Sequence, residues 1–397
     1  MSEAIKQQNI LFRLLRSAVL NEPFSRDELS VDEVQMEALV KLAKKHDLLH
    51  LVAYELGKDP TGFSIHQELK EQLAQSKFSA IFRYNRQARA LYRISALFEQ
   101  AQIDFIPLKG SVLREYYPQP WMRTSSDIDL LVHPEDMERA IKLLESEGYQ
   151  YFARTDHDRS YVKENVHIEL HFATIVSGPS GEVLQEIWKW AEKKDGWRYQ
   201  HILKPEMFVF YHVAHMAKHF LVGGCGIRSF LDLKIIEDQM PYDHDKVSKL
   251  LADSHLETFM ESSAQLADYW FGNQTATAKL QLAEEYILKG GTYGNIDNGF
   301  SIKMAKWRNK GRFFLFRFFL PFNEMKLEYP ALERVPVLLP LFWAHRWLLK
   351  LFNAKKRREA MQKMNVLRNL STQDTEQVEA VLTAVGLEWS VFRKPED

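Results

Sequence analysis

The chain has 397 residues, 46% of them hydrophobic, enough for two or three packed units. Lys and Arg total 52 against 53 Asp and Glu, so global charge gives no electrostatic argument for nucleic acid or for a membrane surface, and either would need a local patch. The single cysteine, Cys225, excludes an intrachain disulfide and a multi-cysteine zinc site and points to a reducing compartment, with the cytoplasm as the expected location.

Met1 to Asn9 is polar and the first apolar run is broken by Arg13 and Arg16, so no secretory signal is legible. Residues 4–20, 31–57 and 66–101 carry apolar residues at helical spacing, with breaks at Asn21-Glu22-Pro23 and Asp59-Pro60-Thr61-Gly62. They predict an N-terminal helical region over residues 1–101. From Ile103 to Phe172 strands alternate with helices: strands at 103–108 and 127–132, a helix from Pro134 to Gly148, then strands near 149–153, 159–163 and 166–172. Pro134 with Glu135 and Asp136 in the first turn, and Gly148 at the exit, mark that helix.

This mixed segment, residues 102–200, is the expected catalytic core. Beyond Gly178-Pro179-Ser180-Gly181 helical spacing returns, giving a C-terminal helical region over 201–397 with a loop near Gly290-Gly291-Thr292-Tyr293-Gly294. The fold class expected is therefore α+β, a mixed sheet with flanking helices set between two helical regions. The most lipid-like stretch, Phe313 to Phe352, is interrupted by charges and prolines, so no uninterrupted span reaches the ~20 residues of a transmembrane helix. Phe313 to Phe319 and Trp343 to Arg358 combine aromatics with Lys350, Lys355, Lys356, Arg357 and Arg358, a pattern open to surface attachment, although packing against the protein is the preferred reading.

Three pieces carry chemistry. Side chains alternate along a strand, so Asp127 and Asp129 share one face of 127–132 while Ile128, Leu130 and Val132 enter the core. Two like charges this close call for a cation or a retained proton, and carboxylate oxygens suit Mg²⁺ or Mn²⁺. The same alternation puts His167, Glu169 and His171 on one face of a later strand, with Glu169 able to complete a metal set of Asp127, Asp129 and Glu169. Between the apolar run 103–108 and a short helical run from Val112 to Tyr117, the Gly110-Ser111 turn can offer amides and a hydroxyl to phosphate oxygens. Lys109 and Arg123 beside it are candidate phosphate ligands, while His167 and His171 read as pocket lining or as buried hydrogen-bond partners. Each piece has a plainer meaning alone, since Asp-x-Asp on a strand edge is common as solvated surface; the ordered conjunction points to a site.

These residues resemble the nucleotidyltransferase superfamily of the polymerase-beta type over about Ile103 to Phe172. Its signature is an apolar residue, Gly, Gly or Ser, a gap, an acid-apolar-acid triplet and later a third acid between apolar residues. More narrowly, Leu108-Lys109-Gly110, the block Arg123 to Val132 and His167-Ile168-Glu169-Leu170-His171 are similar to a bacterial family of uncharacterised nucleotidyltransferases, over most of the chain. The resemblance implies that Asp127, Asp129 and Glu169 bind Mg²⁺ or Mn²⁺ and carry catalysis. The activity it implies is transfer of a nucleoside monophosphate from an NTP, ATP among them, to a hydroxyl or phosphate acceptor. The gap between Ser111 and Asp127 is slightly longer than the superfamily's.

In the second helical region His212, His215 and His219 fall at helical spacings with Lys218 beside them, and Gly223-Gly224-Cys225-Gly226 precedes Arg228 and Asp232 at i, i+4. A zinc helix would add an acid at fixed spacing, which is missing here. The plain reading is an Arg228–Asp232 helix pair with histidines packed between helices. The functional one has Lys218, His219 and Arg228 facing the cleft to hold triphosphate or acceptor, and matching residues in the resembling family favour it. Acceptors left open are tRNA or another RNA, a small sugar or antibiotic, and a protein side chain. A protein of another class, holding a nucleotide or a partner without turnover, is the alternative.

Overall fold

A computed structural model describes residues 3–23, 33–58, 66–175, 178–292, 294, 299, 301–302, 316, 318–353, 357–358, 361, 365 and 371–388. The break expected at Asp59 to Gly62, Tyr293, Phe313 to Leu315, Arg317, Lys355 and Lys356 lie outside these residues.

The fold is α+β. Helices α1 (Glu3–Leu20), α2 (Glu33–Lys45), α3 (Leu49–Leu56) and α4 (Gln67–Gln100) lead into the sheet. The single run anticipated over 31–57 is split into α2 and α3, because Asp47 takes a left-handed φ of +55° and spends its carboxylate on tertiary partners.

The sheet holds β1 (Phe105–Pro107), β2 (Asp127–Val132), β3 (Gln150–Arg154), β4 (Asp158–Lys163) and β5 (Val166–His171) in the order β1-β2-β5-β4-β3. Only the central pair, β2 with β5, is parallel. Its register sets Asp127 opposite His167, Asp129 opposite Glu169 and Leu131 opposite His171. Helix α5 (Gly110–Leu113) follows β1, and α6 (Met137–Ser146), entered through a 3₁₀ turn at Pro134–Asp136, joins β2 to β3.

After α7 (Gly178–Gln185) a two-stranded ribbon, β6 (Ala191–Lys193) with β7 (His201–Leu203), stands where the sequence pattern had suggested only helix. Three-residue strands are too short for period-two alternation to register. The ribbon leans on β1 through Phe105 N–H to Tyr199 O at 3.0 Å. Helices α8 (Pro205–Phe220), α9 (Ile227–Gln239), α10 (His244–Asp253), α11 (Glu257–Phe271) and α12 (Ala278–Gly290) follow, then α13 (Phe322–Glu328), α14 (Leu339–Phe352) and α15 (Thr372–Val385).

Two cores cover the two faces of the sheet. Ile128, Leu130, Val132, Ile168 and Leu170 bury one face against Ile94 and Phe98 of α4 and Ala140 and Leu144 of α6. On the other face, Leu131 and Ile106 enter a larger core shared by α1 to α3, α8 to α12 and α15. Phe12 of α1 stacks on Trp270 of α11, ring centroids 4.9 Å apart, so the first and later helices form one body. β2 thus sends apolar side chains to one face and, on the other, changes from Leu131 to acids at its N-terminal end. That chemical change opens the cavity.

The aromatic C-terminal stretch forms a satellite core around Leu320, Met325 and Leu332, with the Trp343 and Trp347 indoles donating to the carbonyls of Leu320 and Phe318. Leu341, Leu348, Leu351 and Phe352 of α14 stay exposed. Among the described residues no helix is long and apolar enough to cross a membrane.

Candidate active site

A cavity of 340 Å³ lies between the acidic end of β2 and β5 and the wall formed by α8 and α9. Asp127, Asp129 and Glu169 all line it. Asp129 is 2% exposed, and its Oδ1 accepts from Lys109 Nζ at 2.6 Å and from His171 Nε2 at 2.9 Å. Burial opposes ionisation of Asp129, but the Lys109 ammonium and His171 override it and hold its carboxyl well below the usual range.

Asp127 is held separately, by the Ser125 hydroxyl at 3.1 Å and the Ser126 hydroxyl at 2.9 Å. Burial and then the neighbouring Asp129 push its carboxyl up. Burial works against a charged His171, yet its bonds to Asp129 and Glu169 raise it above the ordinary imidazole value. Asp129, Glu169 and His171 each bring a ligand atom within 4.8 Å of the others. Two of these three donors are carboxylate oxygens, Asp129 buried and Glu169 half-buried, and carboxylate oxygen suits Mg²⁺ or Mn²⁺, while Asp127 lines the same cavity outside this group.

Lys109, joined to this cluster by its ammonium, also has an unusual backbone. Its φ of +48° with ψ of −121° is a conformation that costs a non-glycine residue ~1–3 kcal/mol, so the surrounding packing has to hold it in place. Burial works against its charge, but Asp129, Tyr211 and Asp127 outweigh that and keep the ammonium protonated well above the ordinary range.

Gly110 lines the cavity, and a Cβ there would stand 3.1 Å from Ser125 Oγ and 3.4 Å from Arg123 Nη1, so a larger residue would press on both side chains. Ser111 is not among the residues lining the cavity, and its amide already donates to Leu108 O at 3.2 Å.

The opposite wall is cationic and histidine-rich. Lys218, His219, Arg123 and Arg228 all face the cavity. Burial, then Lys109 and Lys218, lower His219 to about 4, so it is neutral near pH 7, with its Nε2 3.1 Å from His215 Nε2. His212 instead bonds Ser229 O at 3.3 Å, and the three histidines do not gather as a metal site among the described residues.

The i, i+4 pair of Arg228 with Asp232 does not form. Asp232 accepts from Arg123 Nε at 2.7 and 2.9 Å and from the Tyr117 hydroxyl at 2.7 Å, while Arg228 reaches Asp47 at 3.0 Å and Thr124 O at 3.2 Å. A buried carboxylate is better satisfied by two converging tertiary donors than by one helical neighbour.

Three cavity residues carried no sequence signal, Tyr211, His157 and Asp158, and neither did Asp47, which holds Arg228 and Thr124 from behind. Asp47 sits inside what reads as a continuous helix, and Tyr211 inside an apolar helical run. His157 and Asp158 occupy a polar stretch at a strand start, where charge is usual. His167 does not line this cavity and lines a neighbouring groove instead.

No curated protein matches the chain. A family model described as an uncharacterised nucleotidyltransferase matches residues 32–272, which include α2 through α11 and every residue of the acidic cluster. The chain belongs to that nucleotidyltransferase family.

Proposed function

We propose that the protein is a metal-dependent nucleotidyltransferase that moves a nucleoside monophosphate from an NTP to a hydroxyl or phosphate acceptor and releases pyrophosphate. The observation that carries this reading is a single cavity with carboxylates from two adjacent parallel strands on one side and cations on the other. Asp127, Asp129 and Glu169 would hold Mg²⁺ or Mn²⁺, which when bound neutralises phosphate charge and lowers the pKa of the attacking group.

The chain's own residues supply the rest. Lys109, Lys218, Arg123 and Arg228 bring fixed positive charge to the triphosphate, with Arg123 and Arg228 pre-oriented by Asp232 and Asp47. Neutral His219 serves as a hydrogen-bond partner. Gly110 lets the turn approach the phosphates, and Ser111 takes part once its amide leaves Leu108. The catalytic unit proposed is residues 102–200, between helical regions 1–101 and 201–397, and the cytoplasm is the proposed location.

A second groove of 440 Å³, lined by Phe78, Phe82, Arg83 and Arg86, meets the first at Ser126, whose hydroxyl binds Asp127. It is the proposed approach for the acceptor, which can be RNA, a small molecule or a protein side chain.

Nucleotide binding without turnover is the second reading, favoured by Lys109, which already neutralises Asp129 from within the chain. Incubation with Mg²⁺, cell extract and NTPs labelled at the α or the γ phosphate separates the two. Covalent transfer of α label but not γ label, lost in Asp127→Asn, supports the enzyme. Tight NTP binding with no pyrophosphate release supports the binding protein.

A further inference from the structure

His171 belongs to two groups of side chains, and the acids of β2 explain only one. Its Nε2 is turned to Asp129 at 2.9 Å and to Glu169 at 3.5 Å. The residue is 4% exposed, and its Nδ1 is buried without a hydrogen-bond partner among the described residues. On its other side, His157, Asp158 and His171 each bring a ligand atom within 4.8 Å of one another. Asp158 is the β-sheet partner of His171 across β4 and β5, and the His157 ring lies 6.0 Å from the His171 ring at 25°.

We infer that His157, Asp158 and His171 form a second cation site, separate from the three-carboxylate cluster, for a divalent ion of borderline softness such as Zn²⁺ or Co²⁺. Two imidazoles and one carboxylate make a donor set that such ions prefer, whereas Mg²⁺ prefers oxygen alone. With Nε2 committed to the acids, Nδ1 is the His171 atom left to ligate. A metal-bound histidine characteristically donates its other ring N–H to a carboxylate, which fixes tautomer and orientation.

Both histidines have that partner in place. His171 Nε2 faces Asp129, and His157 Nδ1 lies 2.5 Å from Asp156 Oδ1, leaving His157 Nε2 at 3.5 Å from Asp158 Oδ2. Asp158 is itself held by the Thr155 hydroxyl. Three protein ligands leave a coordination position open toward the cavity that His157 and Asp158 line. Bound there, the ion would orient His171 and through it Asp129.

Lys218 Nζ stands 3.3 Å from His157 Nε2, so an entering cation has to displace it. This gives the inference a signature that an anion site would reverse. The inference does not rest on the proposed function, because binding is measured without nucleotide.

Protein stripped with a chelator and then held in excess Mg²⁺ is titrated with Zn²⁺ by calorimetry. One equivalent is expected to bind. Asp127→Asn leaves the affinity unchanged, His157→Ala and Asp156→Asn weaken it by ~10–100-fold or more, and Lys218→Met tightens it. X-ray absorption on wild-type protein loaded with one Zn²⁺ is expected to show two imidazole nitrogens, a readout independent of any variant's folding. A zinc shell without two histidine nitrogens, no uptake in Mg²⁺, or equal affinity in His157→Ala overturns the inference.

Discussion

Lys109→Met isolates the contest for Asp129. Asp129 is 2% exposed and the Lys109 side chain 22%, so the 2.6 Å ion pair is screened little by water. Removing one partner of such a pair costs roughly 3–5 kcal/mol, because a buried charge loses its compensation. His171 still donates to the same oxygen, which places the expected loss at the lower end, about 3 kcal/mol.

Lys109→Gly loses the same ion pair but relieves the φ of +48°, so it should fall short of wild type by ~1–2 kcal/mol less than Lys109→Met does. Mg²⁺ adds a second test. If the ammonium and the cation share Asp129, saturating Mg²⁺ should restore more stability to Lys109→Met than it adds to wild type. Ligand at a hundredfold over its Kd contributes about 2.7 kcal/mol. Urea unfolding midpoints with and without Mg²⁺ measure all of this. Equal midpoints for wild type and Lys109→Met, or the same Mg²⁺ shift in both, would refute the reasoning.

Burial lowers His46, His50 and His219 from 6.5 to about 4, so between those values the unfolded chain binds more protons and acid destabilises the fold. Three such groups give a slope on the order of 4 kcal/mol per pH unit in mid-window, read as a fall in urea midpoint from pH 7 to pH 5 that His50→Gln makes shallower. His171 acts in the opposite sense: its raised value gives stability that is present below 6.5 and lost as pH climbs through the folded value. Gly226→Ala would put a Cβ 2.7 Å from Thr292 Cα and 3.1 Å from Gly291 O, both backbone, and should cost ~1–3 kcal/mol by thermal unfolding. Glu169→Gln is expected to lower nucleotidyl transfer ~10²-fold or more while leaving the melting temperature near that of wild type.

β2 and β5 were legible because their chemistry repeats every two residues, and alternation alone set Ile128, Leu130 and Val132 in the core and the acids on the other face. Helix α6 was legible for a similar reason, with Pro134 and Gly148 marking its ends and Gly148 adopting a φ of +86°. The break at Asp47 was hidden because its cause is tertiary: Thr124 and Arg228 lie 77 and 181 residues away in sequence. Arg123 and Asp232, 109 residues apart, were hidden in the same way, and the local i, i+4 spacing offered only Arg228 as a plain alternative partner. His157 and Asp158 gain meaning only when β4 pairs with β5 and brings them beside His171. Ribbon β6–β7 is too short to show any period.

The most direct measurement is anomalous diffraction from crystals grown with Mn²⁺ and a non-hydrolysable NTP. The account predicts manganese within about 2.1 Å of oxygens from Asp127, Asp129 and Glu169, with Lys109 moved off Asp129 toward phosphate. Manganese bound elsewhere, with Lys109 still paired to Asp129, would contradict it.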